Sequence, residues 1–469
     1  MAAAYKSENS FPAGIAPLLL ASLWRAWYNK GYTSGEQGGG SMGGTRKKWY
    51  KLDNAGVLYS AIQKEEYSAV YRFSAVMDAP VDPDALQRAV DRTMPRFPGF
   101  GVHIKKGVFW YYFEPNPAPG PFVRRDIANP CQPVRFREDG GWLVRFYYYE
   151  RRISLEVFHA LSDGAGALVF FRTLLAVYLR ERGVEVPNGP GILDVDEPPR
   201  AEELEDAYAR YAGRRVLRDG GLEAAYQNTG TPEPFYTLNV TMGLVSVAQL
   251  KEKARSYKAS ITEYLTAALL QVILELQRRD NPHQLRPVAL AIPINLRPYF
   301  PSETLRNFIL TVRPCIDPRL GEYTFEEILS QVHHFMRYQI NRQRMRAVFT
   351  GNVRFQTNRL LQIIPVALKN PVMAFGYWLA GVRPYSGTYT NPGAFQVPPE
   401  MAPHITRMEV MLGQATTARV HCASISYGDT MAITFAGTQK ETDTEREFFR
   451  FLVRQGIHVK VESNRPAFS

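Results

Sequence analysis

An α+β protein of two domains is the fold class the sequence predicts, on three observations. The chain has 469 residues, more than one ordinary core organises, so two units of roughly two hundred residues each are expected. Strand-like stretches come in adjacent pairs that read as hairpins. Helices fall between these groups without regular strand–helix alternation, which favours mixed sheets with helices over a doubly wound parallel sheet. The expected division is an extension over residues 1–44, a first lobe over 45–215 and a second over 216–469.

The extension contains FPAGIAPLLLASLWRAWYNKGYTSGEQGGGSMGG. Its apolar run is too short to span a bilayer. Glu8 and the lack of an A-x-A site argue against a secretory signal. GEQGGGSMGG reads as a linker, or as sequence ahead of a start at Met42. With no strand before it and no Lys after it, it is not a phosphate loop. Ordered chain is expected from near Trp49.

In the first lobe, YSAVYRFSAVM reads as a strand. VDPDALQRAVDRTMPRFP reads as a helix with Asp82 as N-cap, Pro83 at its first position and Leu86, Val90 and Met94 on one face. Two hairpins follow, GVHIKKGVFWYYFEP and WLVRFYYYERRISLEVFH, the second turning near Glu150 and Arg151; their aromatic runs are expected to pack. This places His159 at a strand end. GAGALVFFRTLLAVYLRERG is a long buried helix closed by Gly183. The acidic, proline-rich LDVDEPPRAEELEDAYARYAGRR is the expected crossover.

The pattern restarts with the strand FYTLNVTMGLVSV. Ser246 with Gln249, and Ser260 with Glu263, open two helices as capping boxes. Strands RPVALAIPINL and NFILTVRP come next. Thr324 with Glu327 then opens a helix whose apolar face includes Ile328, Val332, Phe335 and Ile340. A hairpin, RVHCASISYGDTMAITFAG, turns at Gly428 and Asp429. Thr442 with Glu445 is expected to cap the last helix.

Hydrophobic residues make up 45% and charged residues 22%, which excludes a disordered or fibrous chain. Cys131, Cys315 and Cys422 form no CxxC pair, so neither a disulfide framework nor a thiolate metal site is indicated, and a reducing, cytoplasmic location is expected. The net charge is +11, and the window from Ile328 to Pro399 has no Asp or Glu but carries Arg337, Arg342, Arg344, Arg346, Arg354, Arg359, Lys369 and Arg383, eight of those charges. Such a field suits CoA phosphates, an acidic carrier protein, a membrane or nucleic acid, and equally a solvated basic face. Nothing beyond charge supports nucleic acid. His333 and His334 point to different helix faces, unlike a metal-binding pair, and no metal is expected. His421 and Cys422 read as strand packing. LLQIIPVALKNPVMAFGYWLAG is broken by Pro365, Lys369, Asn370 and Pro371 and is expected to line a channel or a core, with membrane contact the lesser reading.

FHALSDGAGALVFFRTLL carries the chemistry. An imidazole at a strand end titrates near neutrality and, if held in one tautomer, takes a proton from a hydroxyl or amine. Asp163 is placed to brace the turn, and Gly164 to leave space at the helix mouth. A lone histidine beside an apolar strand is more often structural.

HALSDG, His159 to Gly164, resembles the HxxxDG motif of the CoA-dependent acyltransferase superfamily, which includes chloramphenicol acetyltransferase, plant acyltransferases and the condensation domains of nonribosomal peptide synthetases. ASITEYLTAALLQVILE resembles the family's helix entering the second half, and PINLRPYFPSETLRNFILTVRP its strand–loop–strand segment. GTYTNPGAFQVPPEM, MEVMLG and SISYGDTMAITFAG are similar to bacterial alcohol acetyltransferase-like proteins. The resemblance runs from about Trp49 to Glu462.

It implies a bilobal chloramphenicol acetyltransferase-like fold with the histidine between the lobes. His159 would be the general base, and no covalent acyl-enzyme would form. Asp163 would be structural and paired with an Arg of the other lobe, expected to be Arg297. Thr388, Thr390 and Asn391 are the oxyanion or acceptor candidates; Thr390 stands where the family has Ser, and Pro392, in place of Leu, offers no backbone N–H. Arg337, Arg344 and Arg354 are candidates for binding acyl-CoA, a co-substrate and not a resident cofactor. Alternatives are a carrier-protein-dependent enzyme and a non-catalytic binding module of the same fold.

Overall fold

The hairpin turning at Glu150 and Arg151 anchors the first lobe. Val144–Tyr149 and Arg152–Phe158 pair antiparallel, and Val70–Met77 pairs with the second of them. In the computed structural model, which describes residues 50–62, 67–217, 222–228, 230–358, 362–414 and 420–465, these strands form the middle of a five-stranded sheet. The extension expected over residues 1–44 lies outside the described residues.

The helices Pro83–Thr93 and Gly164–Glu181 bury their apolar faces with this sheet in one core. Asp82 caps the first helix, accepting from the N–H of Asp84 and Ala85, and Gly183, at φ +84°, closes the second in the left-handed region that favours glycine. The outer strand of the sheet, Ile405–Leu412, comes from late in the chain and pairs antiparallel with Val70–Met77. The second half thus completes the first lobe's sheet. A smaller sheet joins Tyr50–Lys51 to the hairpin of Val102–Lys106 and Tyr111–Pro115.

The second lobe is an eight-stranded mixed sheet. Gly387–Thr390 lies parallel between Val288–Asn295 and His421–Tyr427, which continues through Thr430–Gly437 to Asn239–Ser246 and Val459–Ser463. The helices Ile261–Asp280, Phe325–Gln339 and Asp443–Arg454 share a second core with this sheet. Within the expected crossover, Ala207–Tyr211 packs against Phe300, Phe308 and Phe349, so the chain has docked on second-lobe residues before 215.

Two capping boxes form as the sequence predicts, Ser260 with Glu263 and Thr324 with Glu327. Ser246 caps its helix, but Gln249 accepts from the N–H of His458 and does not reach back. Thr442 makes no side-chain cap; its φ of −116° and ψ of 14° lie outside the extended conformation a capping box needs. The segment expected to line a channel or core forms the helix Val366–Tyr377, and it leaves Leu368, Val372 and Phe375 exposed.

Candidate active site

Strand Arg152–Phe158 ends one residue before His159, whose N–H donates to Ala69 O at 2.8 Å. The ring lies between Tyr59, stacked with centroids 4.5 Å apart, and Tyr71, edge-on at 5.1 Å. Its Nδ1 is 3.1 Å from Asn307 Oδ1. The Asn307 amide is oriented by its other end: Nδ2 donates to His159 O at 3.0 Å and faces Asp53 Oδ2 at 3.4 Å. An amide oxygen only accepts, so the proton of the neutral imidazole sits on Nδ1 and the Nε2 lone pair is free.

His159 is half-buried. Burial among protein groups pushes its pKa below the ordinary 6.5, opposed by a hydrogen bond to its own backbone, the Asp163 charge and Asn307. The neutral, proton-accepting form therefore prevails at neutral pH. Because the folded-state pKa is depressed, protonation opposes folding, and stability is lost as pH falls below about 6.5. The acidic limb of kcat/KM is expected below that value. Asn307→Ala removes an interaction that raises the pKa, so it should move this limb to still lower pH and reduce kcat about tenfold or more by releasing the tautomer. A pH–rate profile of both proteins checks this; a purely structural role would leave the limb in place.

Both carboxylate oxygens of Asp163 are taken up by other partners. Asp163 is the N-cap of Gly164–Glu181, with Oδ1 accepting from the N–H of Gly166 at 3.0 Å. Oδ2 accepts from Arg297 Nη1 at 2.8 Å and from the N–H of Phe308 at 2.7 Å. The residue is 1% exposed, so one carboxylate staples the first lobe's helix to a side chain and a backbone N–H of the second half. Arg297 engages all three guanidinium nitrogens: Nη1 also donates to Asn295 Oδ1, Nε and Nη2 to Thr304 O, and Nη2 to Arg306 O. That knot fixes the loop carrying Asn307.

The tight glycine of the GAG run is Gly166. A Cβ there would lie 2.1 Å from Leu305 O, whereas at Gly164 its nearest contact is an ordinary 3.6 Å to Phe73. Space at the helix mouth is thus required at Gly166 and not at Gly164. Thermal unfolding should show Gly166→Ala destabilised by about 1–3 kcal/mol and Gly164→Ala little changed.

Asp53, Tyr59, Tyr71 and Asn307 were not singled out in the sequence. Asp53 is buried, which lifts its pKa to about 6 against the opposing charge of Arg306, 3.6 Å away. Burial also raises the phenols of Tyr59, Tyr67 and Tyr71, keeping them as O–H groups. Tyr71 donates to Ser162 O at 3.0 Å.

Thr388 and Thr390 flank buried Tyr389 and share the opposite face of their strand. Asn391 donates to Thr262 Oγ1 at 3.2 Å and accepts from the N–H of Gly393 at 2.9 Å, so both ends of its amide hold the loop. None of these three is among the hydrogen-bond or ring contacts of His159. Arg337 and Arg354 are exposed on successive helices; Arg354 donates to Arg214 O, and half-buried Arg344 to Gln339 Oε1. His333 faces Glu263 at 3.1 Å.

No family model and no curated protein matches the chain. Among solved structures, F. graminearum TRI101 complexed with coenzyme A and deoxynivalenol is similar at TM-score 0.59 and 10% identity, covering 89% of this chain and 100% of that one. Polyketide synthase associated protein 5 from Mycobacterium tuberculosis is similar at TM-score 0.56 and 17% identity, covering 86% and 96%. A starter condensation domain of rhizomide synthetase RzmA, in complex with C8-CoA, gives TM-score 0.55 and 13% identity over 87% and 95%. The chain therefore has the bilobal α+β fold of the condensation domains and of TRI101.

Proposed function

We propose that the protein is a CoA-dependent O- or N-acyltransferase, with alcohol acetyltransferase-like activity the nearest description. The observation that carries this reading is the Asn307 lock on His159, which leaves Nε2 free beside an ion pair between the two halves. A non-catalytic binding module would have no need of a fixed tautomer. That the similar structures include complexes with CoA and C8-CoA supports a CoA thioester as co-substrate.

In this mechanism Nε2 takes the proton of an acceptor hydroxyl or amine as its oxygen or nitrogen attacks the thioester carbonyl. The tetrahedral intermediate collapses, the C–S bond breaks, and the imidazolium returns the proton to the departing thiolate. The ester or amide and free CoA leave, and no acyl group passes through the protein. Thr388 and Thr390 are the proposed donors to the oxyanion; Asn391 is proposed to shape their loop. Asp163, Gly166 and Arg297 hold the geometry. The three free cysteines support a reducing, cytoplasmic setting.

A second reading takes the acyl group from an acidic carrier protein, and the exposure of Arg337 and Arg354 supports it. The two separate by donor: thiol release is measured with acetyl-CoA, longer acyl-CoAs and the same acyl groups on a carrier protein, against a panel of alcohols and amines. The leading reading expects acceptor-dependent release from CoA. Turnover with carrier-bound acyl groups alone would replace it with the second.

A further inference from the structure

The helix Val366–Tyr377 docks by one face only. Val366 is buried and its N–H donates to Val108 O at 2.8 Å. Lys369 Nζ donates to Phe109 O at 2.8 Å and sits 3.6 Å from the Trp110 ring centre, and Asn370 donates to the Tyr111 hydroxyl at 2.7 Å. The Tyr377 hydroxyl is 3.2 Å from that of Tyr67, two residues before the Ala69 carbonyl that holds His159.

The other face is an apolar ridge open to solvent. Leu368, Val372, Phe375 and Leu379 recur at helical spacing and are 65%, 70%, 62% and 42% exposed; Trp378 stands beside them at 46% and Ile363 precedes them at 51%. Six of the eighteen exposed large apolar side chains among the described residues thus fall between 363 and 379. Scattered exposed apolar side chains are ordinary, but a ridge of this kind marks an interaction surface.

Its charge environment selects the occupant. The sequence from 328 to 399 has no acidic residue, and exposed Arg354 and Arg383 lie on either side of the ridge in sequence. A second copy of this face would bring like charges together. The outward side chains are aliphatic and aromatic, with no array of hydrogen-bonding groups to specify a folded protein, and a tryptophan at the helix end suits the headgroup level of a bilayer. No single helix among the described residues is long and apolar enough to cross a membrane. We propose that this ridge docks on an anionic lipid bilayer, lying at the boundary of headgroups and acyl chains.

The test is co-sedimentation of the full chain with vesicles of phosphatidylcholine alone, or carrying about 30% phosphatidylglycerol. Three proteins are compared: native, the double variant Val372→Glu/Phe375→Glu, and Leu320→Glu, which alters an exposed leucine outside the ridge. The changed side chains are exposed, and circular dichroism verifies the fold. The native chain and Leu320→Glu should bind the anionic vesicles, and the double variant at least about tenfold less. Binding should weaken as salt rises from about 0.1 to 1 M and the Debye length falls from about 10 to 3 Å. Failure of the folded native chain to bind anionic vesicles, or equal binding by the double variant, overturns the proposal. So does a lipid-free dimer, seen by sedimentation velocity, that the double variant converts to monomer, since that gives the ridge to a second copy. Vesicle binding requires no turnover, so this result and the enzymatic reading stand or fall separately.

Discussion

His159→Ala should lower kcat/KM for acyl transfer by about 10²- to 10⁴-fold, the contribution of a positioned general base, while the protein stays folded. The loss is expected in kcat, because the base acts on the proton in flight and not on the affinity for either substrate. Stability should change modestly: the half-buried ring contributes one hydrogen bond to Asn307 and its contacts with Tyr59 and Tyr71. His159→Gln, which restores a side chain able to pair with Asn307 but supplies no base, should recover stability without rate. Steady-state kinetics and thermal unfolding of the two variants check this. A base that also held the fold together would fail the second measurement.

Arg297→Ala should be the most destabilising of the site substitutions, costing about 3–5 kcal/mol, because it leaves the Asp163 carboxylate buried without its cation. It also releases Thr304 O, Arg306 O and Asn295 Oδ1 together. Activity should fall with stability, since the freed loop carries Asn307. Arg297→Lys keeps the charge, but an ammonium cannot reproduce a planar fork spread over four partners, so it should recover only part of either. Asp163→Asn should be milder, near 1–3 kcal/mol, because asparagine still caps the helix and accepts from Gly166. Denaturant unfolding of both single variants and of the pair checks the assignment: the double variant should cost clearly less than the sum of the singles.

Much of the scaffold was legible because it rests on local chemistry. Asp82 and Pro83 mark a helix start, Glu150 and Arg151 a hairpin turn, and Ser260 with Glu263 a capping box; each is written in neighbouring residues and each formed. The Asp163–Arg297 pair is 134 residues apart in sequence and was reached through resemblance, not spacing. Asn307 was missed because an asparagine just before a strand carries an ordinary turn signal. Its role appears only when the Arg297 loop folds back and sets its amide between His159 and Asp53. The same applies to Gly166, whose constraint is a carbonyl of the other half, Leu305 O. The Val366–Tyr377 segment was misjudged because apolar composition does not distinguish a buried face from an exposed one. Lys369 and Asn370, taken as breaks, are the polar anchors of its docked face.

In the proposed reaction His159 Nε2 deprotonates the acceptor and the acyl group passes directly to it. Acceptor-dependent thiol release from acetyl-CoA, followed in native protein and His159→Ala with mass spectrometry of the quenched enzyme, tests it most directly. Release should depend on acceptor, fall by about two or more orders of magnitude in the variant, and leave the protein mass unchanged in mid-turnover. Undiminished turnover by folded His159→Ala, or an acyl adduct that accumulates on the protein and is discharged by acceptor, would contradict it.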